Sequence, residues 1–274
     1  MTAPPLDERA RWTASGEAWL RWADSLAGPA ERLNAPLLAA LGLGPRSRLL
    51  DLAAGAGEPA LSAARLIGPE GLVAASDLVA LPLRRLLGRP EGAAPLLPVA
   101  ADMAALPFPD GAFTAASCRF GIMFVPDSVA ALAELRRVMA PGARVAFLVW
   151  GALAGNSVLA LVHSGVAAVL GEAAAAALDP LFRYAEPGIL ARELEKAGFV
   201  SASEQDVRLS GEADAGRPFW RAQLEMSFAP QLAAATAESR HALDAWLAAA
   251  VARTADKGRF RLDIHARLVT ACRS

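Results

Sequence analysis

Between residues 46 and 150, short apolar runs rich in Leu, Val and Ala alternate with stretches whose apolar positions recur every three or four residues. Such a pattern predicts strands over 47–52, 72–77, 96–101, 112–118 and 143–150, with helices over 58–67, 79–88 and 127–139 between them. Strands separated by helices must cross over right-handedly into a parallel sheet covered on both faces, so the expected class is α/β and doubly wound. Pro141-Gly142 marks the turn that stops the third helix and restarts the chain as a strand.

Upstream, residues 7–26 carry Trp12, Trp19 and Trp22 at i, i+7 and i+10, with Leu26 four further on, all on one helical face. Three indoles on one stripe must cover something: docking of a terminal helix on the body of the domain is the first reading, a lid over a site the second. Downstream, the pattern predicts a helix over 156–170, helical Ala173–Ala177, a helix over 187–197 ended by Gly198, and a strand over 199–209. Helices over 217–230 and 236–253 and a terminal strand over 260–272 complete the chain. No internal repeat interrupts it, and one domain over 1–274 is expected.

Composition narrows the function. Hydrophobic residues make up 54% of 274 positions, enough for a sizeable core, and the net charge is −1. Lys and Arg are dispersed apart from small groups such as Arg84, Arg85 and Arg89, so no nucleic-acid partner is expected. Cys118 and Cys272 lack metal-ligand spacing, which argues against zinc and for a reducing cytoplasm. The first eleven residues include Pro4, Pro5, Asp7 and Glu8 and do not read as a signal peptide. Residues 145–171 lack a formal charge, but Gly151, Gly155, Asn156 and Ser157 divide them into a strand and a helix, so no integral membrane span is expected.

The chemistry lies in Leu49-Leu50-Asp51-Leu52-Ala53-Ala54-Gly55-Ala56-Gly57-Glu58-Pro59: an apolar strand with a carboxylate, a glycine turn and a helix start. Gly55 to Ala60 satisfies GxGxxA, the loop that cradles a dinucleotide pyrophosphate. Three neighbours oppose that ligand. Asp51 and Glu58 place negative charge beside the turn, and Pro59 removes a helix N–H donor. A cofactor with an ammonium and no phosphate suits these residues better. Asp77 ends the second strand, where a carboxylate holds ribose hydroxyls, and Asp102-Met103 follows the third, where a carboxylate and a thioether suit an adenine. Cys118-Arg119-Phe120-Gly121 ends the fourth.

In this order the motifs resemble class I S-adenosylmethionine-dependent methyltransferases, with Ala53 at the first glycine position of the family's first motif. Leu106-Pro107-Phe108-Pro109-Asp110-Gly111-Ala112-Phe113 is similar to that family's segment leading into the fourth strand, and the run Arg119 to Asp127 followed by Glu134 to Gly142 resembles the group that includes the ubiquinone and menaquinone biosynthesis C-methyltransferases. The resemblance covers roughly residues 46–150.

It implies a Rossmann-like, mostly parallel seven-stranded sheet with an antiparallel C-terminal strand, N-terminal helices over 1–45, and helical insertions after strands 5 and 6. The cofactor core would span 46–150 and the acceptor side 151–274. S-adenosylmethionine is the implied cofactor, held by Asp51, Ala53, Gly55, Gly57, Glu58, Asp77, Leu78, Asp102, Met103, Arg119 and Phe120. The implied reaction is in-line displacement onto a small apolar or aromatic acceptor, with no metal required. No residue declares itself as a base; His163 and Arg119 are the candidates, while His241 and His265 read as surface or structural. Met123, Phe124, Trp150, Tyr184 and Trp220 are candidate pocket residues, with Phe182 and Phe228 as further apolar neighbours. A cofactor-binding homologue without activity, acting as a partner or regulator, stays open, as does a homodimer. A nicotinamide oxidoreductase is disfavoured because the single tyrosine, Tyr184, has Gly188 rather than Lys four residues on.

Overall fold

A computed structural model describes residues 8–88 and 91–274. The reading of residues 1–7, and Arg89, lie outside the described residues. The helix α1 (Glu8–Leu41) leads into an alternating core: β1 (Arg48–Leu52), α2 (Ala60–Ile67), β2 (Leu72–Asp77), α3 (Ala80–Leu83), β3 (Leu96–Ala100), β4 (Phe113–Arg119), α4 (Ser128–Val138) and β5 (Met139–Trp150). After it come α5 (Ser157–Leu170), α6 (Glu172–Ala175), α7 (Ile189–Lys196), β6 (Phe199–Asp214), α8 (Arg221–Ala234), α9 (Ala237–Thr254) and β7 (Arg259–Arg273).

The strands form one sheet in the order β3-β2-β1-β4-β5-β7-β6, and β7 alone runs antiparallel to its neighbours. Strand order reverses between β1 and β4, which opens a crevice at their carboxyl ends. Because side chains alternate across a strand, Leu49 and Leu50 enter different cores. Leu50 joins Phe113, Leu135, Phe147 and Leu194 beneath α4 and α7. Leu49 joins Leu37, Leu41, Ile67 and Leu148 beneath α1 and α2.

A third core is formed by α5, α8 and α9 around Val162, Leu224, Phe228 and Leu247. It exists because the β6–β7 ladder runs from Phe199↔Arg273 to Asp214↔Arg259, whereas β5 reaches β7 only from Ala266 to Cys272. The hairpin therefore projects past the sheet, and α8 and α9 fill the connection between its strands. Among the described residues no helix is long and apolar enough to cross a membrane; residues 145–171 divide between β5 and α5.

Three elements depart from the sequence pattern. The N-terminal helix runs for 34 residues, through Gly28-Pro29, because Leu33, Leu37, Leu38 and Leu41 continue the apolar face into the core. The helix expected over 79–88 is one α turn followed by a 3-10 turn at Arg84–Leu86, with Pro82 inside it. Strand β5 starts at Met139, and the pairing jumps from Phe113↔Met139 to Ala115↔Arg144, so Pro141-Gly142 sits in a bulge of the ladder.

Candidate functional site

At the end of β1 the backbone turns through three left-handed residues: Ala53 (φ 52°), Gly55 (φ 51°) and Gly57 (φ 111°). Glycine suits 57 because of its left-handed φ, and an added Cβ would in addition lie 2.7 Å from Leu86 Cδ2 and push that side chain aside. Ala53 adopts the same region with a Cβ, a strained geometry that clusters at functional sites. The turn is fastened to the next strand: Ala54 N donates to Ser76 O at 3.0 Å, and Gly55 N donates to Asp77 Oδ2 at 2.9 Å. Asp77 Oδ1 accepts from Val79 N at 2.9 Å. Burial raises the Asp77 pKa, and these amide bonds oppose the rise.

Beneath the turn lies a buried charged group. Asp51 is fully buried and accepts a 2.7 Å hydrogen bond from Ser117 Oγ on β4. Burial pushes its pKa up to about 7, with Ser117 and Arg119 opposing and Glu58 reinforcing the shift. Arg119 donates from Nη2 to the Glu58 carbonyl at 3.0 Å, and burial lowers its pKa against the pull of Asp51 and Glu58. The Glu58 carboxylate is turned toward α1 and α2, where it accepts from Asn34 Nδ2 and Ser62 Oγ, both at 2.7 Å. Cys118 is buried with its pKa pushed up to about 12, so it remains a thiol.

Above these groups opens a cavity of about 640 Å³. Its floor is the strand ends: Ala53, Gly55, Glu58, Asp77, Leu78, Asp102, Met103, Arg119 and Phe120 all line it. Its roof is one face of α1, from Trp12 and Trp19 through Ala23, Leu26 and Ala30 to Leu33, joined by Gln223 and Met226 of α8 and Ile264 of β7. Phe124 and Trp150 close the sides. Phe120, held at φ 59°, stacks on Trp150 with centroids 3.9 Å apart and planes 5° from parallel. Trp12 meets Phe124 edge-on at 4.7 Å.

Three polar ties hold α1 to the floor loops: Arg9 Nη1 to Leu78 O at 2.8 Å, Asp24 to Arg85, and Asn34 to Glu58. The indole stripe thus divides its work. Trp12 and Trp19 face the cavity, while Trp22 donates to Glu225 Oε2 at 2.9 Å and packs against α8. Helix α1 both docks and covers.

Nine of the eleven residues expected at the cofactor therefore line one cavity, as do Phe124 and Trp150. Asp51 and Gly57 stand behind the turn and shape it. Asp102 lines the cavity and also accepts from Ala104 N at 2.9 Å, so it caps its own loop. Four other expectations are corrected. His163 sits partway along α5 and is not among the lining residues. Met123 is 2% exposed within the core under α4. Tyr184 is buried, its hydroxyl donating to Glu193 Oε2 at 2.6 Å. Trp220 packs in the third core, as do Phe182 and Phe228. Apolar character identified these residues as internal but could not say which of the cores would take them. His265 is buried on β7 beside Asp206 Oδ1 at 3.1 Å, in keeping with a structural role. The roof residues of α1, α8 and β7 carry no motif; the stripe at Trp12 and Trp19 was the one signal available.

Residues 50–147 match the methyltransferase domain family. A 2-phytyl-1,4-naphtoquinone methyltransferase of Synechocystis is 36% identical over 110 residues, covering 39% of this chain and 46% of that one. A ubiquinone/menaquinone biosynthesis C-methyltransferase of Cupriavidus taiwanensis is 37% identical over 112 residues, covering 40% and 46%. The match thus spans less than half the length of either relative. Phosphoethanolamine N-methyltransferase 2 of Haemonchus contortus, solved with S-adenosyl-L-methionine, shares the fold with a TM-score of 0.53 at 18% identity, over 88% of this chain and 52% of that one. Residues 50–147 of this chain are therefore a match to the methyltransferase domain family, similar in sequence to the ubiquinone and menaquinone biosynthesis C-methyltransferases and carried on a fold shared with a solved methyltransferase.

Proposed function

We propose that the chain, as one unit over residues 1–274, transfers a methyl group from S-adenosylmethionine to a small apolar or aromatic molecule in the cytoplasm. The observation that carries this reading is the two-sided cavity, with a polar floor of family motifs and an apolar roof. The floor fits the cofactor. Gly55 N–H, which a pyrophosphate would use, is committed to Asp77, and the surrounding carboxylates favour a ligand bearing positive charge. This disfavours a dinucleotide. Asp77 would take the ribose hydroxyls, Asp102 and Met103 the adenine, and Ala53, Gly55 and Arg119 the amino-acid end.

Bound there, S-adenosylmethionine supplies an electrophilic methyl group on a cationic sulfur. The protein's part is to place an acceptor in line with that methyl and exclude water from the approach. Trp150, Phe120 and the roof do this with apolar surface. Among the described residues those lining the cavity include no His, Lys, Tyr or Cys, and the carboxylates of Glu58, Asp77 and Asp102 already accept protein hydrogen bonds. That leaves Glu8 as the unengaged carboxylate and supports positioning as the chain's main contribution, applied to an acceptor that is already nucleophilic or loses its proton readily. The quinone-like acceptors in the relatives' names are compatible with the apolar roof, yet that roof lies outside residues 50–147, so acceptor identity is this chain's own property.

Calorimetric titration with S-adenosylmethionine, S-adenosylhomocysteine and NAD tests the floor; binding of the first two and no heat with NAD is expected, and preference for NAD overturns the proposal. Turnover across phenols, quinols and amines then tests transfer. Cofactor binding with no turnover across the panel would favour the non-catalytic homologue.

A further inference from the structure

Resting on the methyl-transfer reading, we infer that Gln223 is the polar anchor of the acceptor subsite and selects flat apolar molecules that carry an O–H or N–H donor. Helix α8 reaches the cavity with two side chains, Gln223 and Met226, three residues apart and hence on one helical face. Six of the seven charged residues that line the cavity are otherwise engaged. Glu58, Asp77, Asp102, Arg9, Arg85 and Arg119 are tied to backbone or side-chain partners among the loops and α1. Glu8, one helical turn before Trp12, has Arg11 3.7 Å from Oε1 and a buried Oε2 with no hydrogen-bond partner among the described residues, but it belongs to α1 and not to the α8 wall.

Trp19 and Leu26 of α1 pack with Met226 of α8 in one apolar cluster, and Ile264 and Trp150 line the same cavity. Gln223 Nε2 donates to Ser227 Oγ, one turn along α8, and this bond orients the carboxamide. Among the described residues its Oε1 takes no hydrogen bond, and it is not one of the sealed, unpartnered polar atoms, so it keeps an open side. The wall therefore offers one carbonyl oxygen within apolar surface. A ligand O–H or N–H satisfies it, whereas a ligand without a donor leaves it dehydrated and unpaired, which is the strongest discrimination a small pocket can make. The stacked Phe120–Trp150 pair supplies the flat surface against which such a ring would lie.

The test uses the full chain saturated with S-adenosylhomocysteine and follows quenching of tryptophan fluorescence by 2-naphthol and by 2-methoxynaphthalene, which differ in the donor. The wild type should bind 2-naphthol about tenfold more tightly. Gln223→Leu should abolish that preference and Gln223→Glu, which retains a hydrogen-bond acceptor, should keep it, with S-adenosylhomocysteine affinity equal in all three by calorimetry. A wild type indifferent to the donor, or a Gln223→Leu protein with its preference intact, overturns the assignment while leaving the methyl-transfer reading standing. Failure of S-adenosylhomocysteine to bind the wild type overturns that reading and the assignment with it.

Discussion

The floor of the cavity is built from consecutive strand ends between Ala53 and Phe120, whereas its roof joins α1, which ends at Leu41, to α8 and β7, which begin only at Arg221 and Arg259. The floor works through backbone conformation and carboxylates: left-handed residues at 53, 55 and 57, and an Asp77 that holds the turn closed by accepting from Gly55 and Val79. The roof works through apolar area. A floor made of hydrogen bonds admits little variation without losing its ligand, because each amide and carboxylate has a fixed partner. A roof of Leu, Met, Trp and Ile can be reshaped at modest cost and so is where acceptor choice can diverge. The difference accords with a methyltransferase-family sequence match that takes in the floor, over residues 50–147, and leaves out α1, α8 and β7.

Substitutions on each side should break that contrast if it is wrong. The largest effect is expected at Asp51. The folded chain holds this proton to about pH 7, whereas the ordinary Asp value is 3.8, so the folded state binds more protons across that interval. Stability without cofactor should therefore fall as pH rises from about 4 to about 7 and remain low above it. Asp51→Asn should flatten the fall and raise stability at pH 8 by up to about 4 kcal/mol, read from urea unfolding at pH 5 and pH 8. A wild type whose stability climbs over this interval would contradict the buried-carboxylate account.

Next in size, Asp77→Asn should weaken S-adenosylmethionine binding by about 1–3 kcal/mol, since an amide cannot accept on both sides from Gly55 and Val79 while also receiving the ribose. Calorimetry measures it, and unchanged affinity would remove Asp77 from the cofactor site. On the roof, Leu26→Ala should cost about 1 kcal/mol in acceptor binding and leave cofactor affinity alone. If both affinities fall together, floor and roof are one cooperative unit. The smallest effect is expected at His163→Ala: turnover within about twofold of wild type, because α5 places this ring outside the cavity lining. A large loss of turnover there would require His163 to approach the site by a rearrangement of α5.

Much of this architecture is legible in the residue pattern alone. The strands over 47–52 and 72–77 were placed to within a residue because alternation between buried runs and amphipathic helices is a local property. The insertion after the sixth strand was visible as two helical periods before a final strand. Three failures share one cause. How far the helix read over 7–26 continues, which core receives Tyr184 or Trp220, and whether His163 faces a ligand all depend on what lies opposite in space. An apolar period tells which side of a helix is buried and is silent on what it is buried against.

By itself the sequence determined the half of this protein proposed to hold the cofactor, because a turn, a strand-terminal carboxylate and a helix start are specified by residues a few positions apart, and the sheet order β3-β2-β1-β4 sets the ends of those strands side by side. The acceptor half was decided only by tertiary structure. Trp12, Trp19 and Leu26 become a roof because α1 lies over the strand ends, and Gln223 becomes a wall residue because the β6–β7 hairpin projects past β5 and carries α8 with it. Those contacts join residues as far apart as Trp19 and Gln223, and their pairing is settled by how three cores pack together, a condition that no local pattern encodes.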